Sequence, residues 1–417
     1  MDKIVIHGGH PLEGEIEISG SKNSALPCLF ATLLTDDECV LHNVPDLVDI
    51  DTTLSLLIDL GKKVERKSST VTVTAGKKLQ SEAPYELVRK MRASALVLGP
   101  LLARLGFTRA SLPGGCAIGV RPIDIHIDGF KALGAQTSLV NGMVEIRANQ
   151  LLGRKIHFKF PSVGATENLL MAASLAKGVT TLENVAREPE IVDLVHLLQK
   201  MGAKIEGAGT STIEIHGSEK LKGAEHVVIP DRIETATYLI AAAITRGDIL
   251  LKNTQPIDVQ SILKDLARAG VKINLEKSTI RCSAKKLKLK PLSVVTGPYP
   301  KFPTDVQAQW MALMSLAGGK CSIREKIFES RHLHASELCR MGANIQMRSN
   351  QFLIEGVSHL EGAHVMVSDL RAGAALVLAG LAARGTTVIH RVYHLDRGYE
   401  NLELKLKKLG ANIKRIH

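Results

Sequence analysis

The sequence predicts an α/β (α+β) protein of two domains, each built from three βαβαββ repeats around three buried helices. Three patterns carry this reading. A helix ending recurs six times, an amphipathic helix precedes it, and each repeat holds a second helix of small apolar residues. The ending is a pair such as Leu60-Gly61, and its glycine returns at Gly134, Gly202, Gly270, Gly342 and Gly410, at spacings of 73, 68, 68, 72 and 68 residues. A glycine there closes a helix in the left-handed conformation.

Ahead of the third glycine, Leu194, Leu197, Leu198 and Met201 fall at i, i+3, i+4 and i+7, one apolar face. Behind the glycines come alternating stretches such as 70–74 (TVTVT) and 212–216 (TIEIH), read as strands. The second helix, apolar nearly all round, falls at 168–176, 237–244, 309–317 and 372–383, with weaker forms at 24–34 and 94–103. A helix without a polar face belongs inside a domain. Division near Pro230 gives domains of residues 22–229 and 230–417, with residues 1–21 completing the second.

The buried helices begin with polar residues: Ser21-Lys22-Asn23, 91–94 with Arg92, 162–166, Asp231-Arg232, Pro303-Thr304-Asp305 and 368–371 with Asp369 and Arg371. Three parallel helices per domain would aim their N-termini into an interdomain cleft, where free N–H groups and the helix dipoles attract an anion. Ser162, Thr166 and Asp231 serve equally well as ordinary N-caps. Lys22, Arg92 and Arg371 oppose the dipole, so each needs a bound anion or a carboxylate beside it.

At 417 residues, 45% hydrophobic and 23% charged, the chain is long enough for more than one core and has globular composition. The longest apolar run, 372–383, stops at Arg384, short of a membrane span, and the N-terminus runs straight into a strand pattern without a leader. A cytoplasmic protein is expected. Six cysteines without CxxC spacing argue against zinc and against a disulfide framework, and no metal or cofactor is expected. A formal charge of +11 admits a nucleic acid or a small anion, but 3% aromatics and scattered basic residues disfavour the former. The one basic run, 285–290 (KKLKLK), reads as a solvated strand edge. Segment 112–122 (LPGGCAIGVRP) is a loop that sets Cys116 near Arg121, a setting that favours thiolate; Cys28, Cys39, Cys321 and Cys339 read as packing residues.

Segments 12–23 (LEGEIEISGSKN), 114–124 (GGCAIGVRPID), 161–168 (PSVGATEN), 187–193 (REPEIVD), 302–309 (FPTDVQAQ) and 396–400 (DRGYE) occur in this order along the whole chain. Together they resemble the motif set of the enolpyruvyl transferase family, in the branch acting on UDP-N-acetylglucosamine. That family's fold is two inside-out α/β barrels of three repeats, with the active site in the interdomain cleft. The resemblance implies transfer of the enolpyruvyl group of phosphoenolpyruvate to the sugar 3-hydroxyl through a tetrahedral intermediate, with release of phosphate, the first committed step of peptidoglycan synthesis. It implies Cys116 as the acid that protonates C3, Asp305 as acceptor of the hydroxyl proton, and Asn23 as a partner of the intermediate. Lys22, Arg121 and Arg397 would hold the phosphate region, with Arg331 and Arg371 near the carboxylate. The sugar nucleotide would be held by Arg92, Arg121, Pro122, Ile123, Asp124, Ile125, Ser162, Val163, Gly164, Asp305 and the backbone at Ile327.

Some members carry lysine where this chain has Phe160, leaving Lys159 beside it, and Ser330 and His332 flank Arg331 where Asn and Phe are expected. Glu188 and Asp369 either orient an arginine or touch substrate. The implied partners are the two small-molecule substrates, with no nucleic acid, membrane or obligate protein partner. The shikimate branch shares the repeats and the phosphoenolpyruvate chemistry but lacks the Cys116 loop. An epoxide phosphonate such as fosfomycin is expected to alkylate Cys116.

Overall fold

The computed structural model describes every residue except Met1, Lys90, 112–122 and Leu287, and the Arg92 side chain also falls outside it. The described residues form two compact units, one from residues 2–19 with Pro230–His417, the other from the described residues between. Each contains three sheets.

In the unit of residues 20–229 one sheet runs Glu225–Val227, Cys39–His42, Thr70–Ala75, Lys62–Lys67, and a second runs Lys204–Glu206, Thr212–His216, Val179–Glu183, Lys155–His157. The third has the strands Phe107–Ser111, Met143–Arg147 and Gln136–Val140, with the bridge Glu82–Arg109 marking the place of a fourth. The sheets surround helices Lys22–Ala31, Leu98–Leu105 and Val163–Ala173. In the other unit the equivalent core holds Arg232–Ile244, Gln307–Met314 and Leu370–Ala382. Five of these helices begin earlier than the apolar pattern suggests, and caps stabilise polar first turns among them: Ser162 accepts from the Ala165 N–H, and Asp231 from those of Ile233 and Glu234. The helix expected at 94–103 instead begins at Leu98, behind the tighter turn Arg92–Val97.

The outer helices Val48–Asp59, Asp124–Ala132, Pro189–Lys200, Gln260–Arg268, Leu333–Arg340 and Leu402–Lys408 each end before one of the six recurring glycines. Those glycines have φ of +104, +94, +102, +103, +89 and +90°, a region that side-chain-bearing residues rarely adopt.

A second repeated device follows the strand after the buried helix. Asn43, Asn184 and Asn253 adopt left-handed backbone (φ +57, +54 and +54°). Their side-chain amides donate to the carbonyls of Val228 (2.8 Å), Phe158 (2.7 Å) and Ile18 (2.8 Å), each the residue just past the parallel neighbouring strand. Asparagine suits this place because it tolerates that backbone and its short amide reaches the next strand.

The strands that lead the first and fourth repeats are exchanged. Glu13–Glu17 precedes helix Lys22–Ala31 in sequence but pairs in parallel with Asp248–Lys252, while Glu225–Val227 precedes Arg232–Ile244 but pairs in parallel with Cys39–His42. Strand Lys3–His7 lies antiparallel between Thr386–His390 and Asn412–Ile416, with Ile4 and Ile6 fully buried.

The basic run at 285–290 is no strand edge. Strand Ile280–Ser283 ends before it, Lys285 and Lys286 form a turn with Lys286 at φ +60°, and the Lys290 N–H donates to the Ala269 carbonyl, which carries the segment back along a helix end. Among the described residues no helix is long and apolar enough to cross a membrane.

Candidate functional site

In the unit containing residues 230–417 the polar residues gather around Asp305, in the single turn Thr304–Val306 that opens the buried helix Gln307–Met314. Its Oδ1 accepts from Arg331 Nη1 at 2.9 Å, and its Oδ2 from Arg371 Nε at 3.2 Å and Nη2 at 3.1 Å. Both arginines are buried, and Arg331 Nε and Arg371 Nη1 have no hydrogen-bond acceptor among the described residues. Burial works against the charge of Arg371, but Tyr399, Asp305 and Asp231 hold its proton more tightly than usual. The Arg371 guanidinium lies over the Tyr399 ring at 5.3 Å, and the Tyr399 hydroxyl lies 2.9 Å from Thr237 Oγ1 and accepts from Gln309 Nε2 at 3.2 Å. Asp369 caps the helix Leu370–Ala382, accepting from the N–H groups of Arg371 and Ala372 at 3.0 and 3.1 Å.

Arg331 Nη1 also donates to Thr304 Oγ1 at 2.8 Å. Beside it His334 is fully buried, with both ring nitrogens unpartnered among the described residues, and burial pushes its pKa down to about 4. The Ile327 N–H donates to Glu325 Oε1 at 2.7 Å. Arg397 is half-buried at the end of the turn Val392–Arg397, and its neighbours fasten the segment. Asp396 receives Arg415 through two bonds of 3.0 and 2.6 Å, and Glu400 accepts from the Ser19 hydroxyl.

In the unit of residues 20–229, Lys22 is buried with its Nζ 2.5 Å from Asp49 Oδ2, itself buried in the first turn of Val48–Asp59. This carboxylate offsets a cation placed against the helix dipole. Half-buried Asn23 follows, and Pro27, which has no N–H, cannot donate to the Asn23 carbonyl as a helical residue would. Ser24 Oγ donates to Asp193, the last residue of the 187–193 motif, whose other oxygen meets His226 Nε2 at 2.9 Å. The ligand-type atoms of Cys28, Asp193 and His226 lie within 4.8 Å of one another. Burial and nearby Asp193 hold the Cys28 thiol well above its usual pKa, and both Asp193 oxygens are already bonded, to Ser24 and to His226.

Ser162, Val163 and Gly164 begin helix Val163–Ala173, and a Cβ on Gly164 would stand 3.3 Å from the His126 ring. Ile123, exposed Asp124 and half-buried Ile125 begin helix Asp124–Ala132. His126 Nδ1 accepts from Asn168 Nδ2 at 2.9 Å, while the same amide donates to Ala95 O at 2.9 Å and accepts from Gly99 N at 2.8 Å, tying three segments together. Burial, with Glu190 and Glu188 nearby, pushes the Glu167 carboxyl well above the usual range. Glu188 accepts from the Arg187 N–H at 2.9 Å. Phe160 is exposed, and Lys159 pairs with Asp128 at 3.5 Å.

The structure thus brings Asp305, Arg331 and Arg371 into one network and gives Lys22 a carboxylate partner, while Cys116, Arg121, Pro122 and the Arg92 side chain lie outside the described residues. Asp49 and Glu325 escaped the sequence reading, since a lone acid in a first turn or at a strand end carries no pattern. Burial pushes the Cys39 thiol up, Cys321 to about 11 and Cys282 to about 12. Cys339 departs from the packing expectation: it sits on the exposed face of helix Leu333–Arg340.

Two three-sheet units around buried helices define a two-unit α/β protein, and the family model described as EPSP synthase (3-phosphoshikimate 1-carboxyvinyltransferase) matches residues 6–406. The chain belongs to this enolpyruvyl (carboxyvinyl) transferase family. Among its curated relatives, the UDP-N-acetylglucosamine 1-carboxyvinyltransferase of Endomicrobium trichonymphae is 58% identical over 419 residues, 100% of both chains. That of Desulfatibacillum aliphaticivorans is 52% identical over 416 residues, again 100% of both. Of solved structures, the enolpyruvyl transferase NikO from Streptomyces tendae superposes with a TM-score of 0.90 at 27% identity, over 99% of this chain and 98% of that one. EPSP synthase from Acinetobacter baumannii gives 0.77 at 20% identity over 100% of each chain, a likeness of fold.

Proposed function

We propose that this chain transfers the enolpyruvyl group of phosphoenolpyruvate to the 3-hydroxyl of UDP-N-acetylglucosamine, releasing phosphate, as a cytoplasmic enzyme at the first committed step of peptidoglycan synthesis. Full-length identity of 58% to a UDP-N-acetylglucosamine 1-carboxyvinyltransferase carries the reading. The domains are taken as 22–229 and 1–21 with 230–417.

The hydroxyl oxygen bonds to C2 while C3 gains a proton; phosphate then leaves and a C3 proton is returned. Cys116 is assigned the delivery to C3 and Asp305 the hydroxyl proton. Lys22, Arg121 and Arg397 hold the phosphate, Arg331 and Arg371 the carboxylate, and Asn23 the tetrahedral carbon's substituents. Arg92, 121–125, Ser162, Val163, Gly164 and Ile327 hold the sugar nucleotide. Because both Asp305 oxygens are engaged by arginines, drawing a guanidinium off the aspartate makes it a stronger base. The substrate carboxylate offers the same two-point acceptor, and the spare Arg331 Nε and Arg371 Nη1 donors are available to receive it.

The shikimate branch is the competing reading, and the deciding experiment is phosphate release from phosphoenolpyruvate with each acceptor. Release with UDP-N-acetylglucosamine and none with shikimate 3-phosphate is expected; the reverse overturns the assignment.

A further inference from the structure

We propose that Glu325 is a positioning residue for this reaction, one carboxylate oxygen setting the turn at Ile327 and the other, through Thr304, the arginine that grips Asp305. The inference rests on the roles given above to Asp305, Arg331 and Ile327.

Glu325 follows strand Lys320–Arg324, the place that Asn43, Asn184 and Asn253 occupy in three other repeats. There the asparagine clamps the residue after the parallel neighbouring strand. In this repeat that residue is Thr296, after Val294–Val295, and Glu325 Oε1 accepts from its hydroxyl at 2.8 Å. The clamp is therefore kept with a longer, charged side chain, whose extra acceptors do further work. The same Oε1 accepts from the N–H groups of Ile327 at 2.7 Å and Phe328 at 3.2 Å, while Oε2 accepts from Thr304 Oγ1 at 2.9 Å.

Thr304 fixes the direction of the chain of bonds. An arginine only donates, so the hydroxyl accepts from Arg331 Nη1 at 2.8 Å and must spend its one proton on Glu325. The sequence Arg331 to Thr304 to Glu325 then runs one way between opposite charges, with Glu325 only 3% exposed. Arg331 Nη1 is the same atom that holds Asp305 Oδ1, so the hydroxyl sets the guanidinium's angle against the aspartate. Glu325 lacks the left-handed backbone of those asparagines and accepts where they donate, so asparagine in its place keeps a short polar group that can face Thr296 and loses the bond to Thr304.

Four variants test this. Glu325→Asn and Thr304→Val should each fold with melting temperatures near wild type and lower kcat by about tenfold, as loss of catalytic orientation does. Thr304→Val leaves the Ile327 turn untouched, so its KM for UDP-N-acetylglucosamine should stay within about twofold, and Thr304→Ser should restore kcat. Glu325→Ala loses both arms and should also raise that KM by about tenfold. If Glu325→Asn is fully active, Glu325 is only a clamp and the proposal fails; wild-type kcat in Thr304→Val overturns the arginine arm. Asp305→Asn is assayed alongside. If it keeps near-normal turnover, the underlying reading of Asp305 fails; if it loses turnover while Thr304→Val does not, only the inference does.

Discussion

Asp305 and Arg397 are both charged residues of the site, yet their substitution should be felt in different constants. Asp305→Asn keeps the size and the hydrogen-bonding ability but removes the proton acceptor, so kcat should fall by roughly 10²-fold or more with sugar-nucleotide affinity within a few-fold. Arg397→Ala should instead weaken phosphoenolpyruvate by about 1.5–3 kcal/mol, the scale of a charge-assisted hydrogen bond. Steady-state kinetics with direct binding of each ligand decides; near-normal turnover in Asp305→Asn would mean that the aspartate only positions the sugar. His334 supplies a pH dependence. Its folded pKa of about 4 lies below the ordinary 6.5, so the unfolded chain binds more protons between those values. The stability contribution is full above about 6.5 and lost as the pH falls toward 4, by up to about 3 kcal/mol. His334→Phe keeps a ring beside Phe352, 6.3 Å away, with nothing to protonate, and should flatten that limb. Denaturant melts at pH 7 and 4.5 that show equal acid losses in both proteins refute this.

The secondary elements owe their ends to backbone conformation, and two of the six glycines separate its cost from steric clash. At Gly202, φ is +102° and an added Cβ would meet nothing within 4 Å, so Gly202→Ala tests backbone strain alone and should cost about 1–2 kcal/mol. At Gly61 a Cβ would stand 2.8 Å from the Lys78 carbonyl oxygen, so Gly61→Ala should cost more. Equal unfolding free energies for the two variants would show that the neighbouring loop simply moves. The glycine signal was legible in the sequence because it is local and strictly placed. The asparagine clamps were not, because each depends on a strand far along the chain: Asn253 grips Ile18, 235 residues away.

Across the whole molecule, thiol reactivity follows burial. Cys28, Cys39, Cys282 and Cys321 are buried and their thiols pushed up, whereas Cys339 is exposed. Limited alkylation of the native protein should label Cys339 and, by the assignment above, Cys116, with the other four reacting only on unfolding. Peptide mapping that found early label on Cys28 or Cys282 would contradict the buried arrangement. The same scale shows the exchanged strands, by which Glu13–Glu17 and Glu225–Val227 each join a sheet of the unit that does not hold the helix they precede.

The sequence by itself determined the repeat, the inner and outer helices and the family. Each of these is written in short-range terms: a period near 3.6, a glycine at a helix end, a motif a dozen residues long. From the motifs came Asp305, Lys22 and Asn23 as candidates, from the polar helix starts Arg371, and from the family resemblance Arg331. Only the tertiary structure decided what these residues touch: Asp305 meets partners 26 and 66 residues away, Lys22 meets Asp49, and strand Lys3–His7 finds its place between two strands near the other end of the chain. Such pairings are selected by burial and by the need to satisfy every buried charge and strand edge, and those demands exist only once distant segments have packed together.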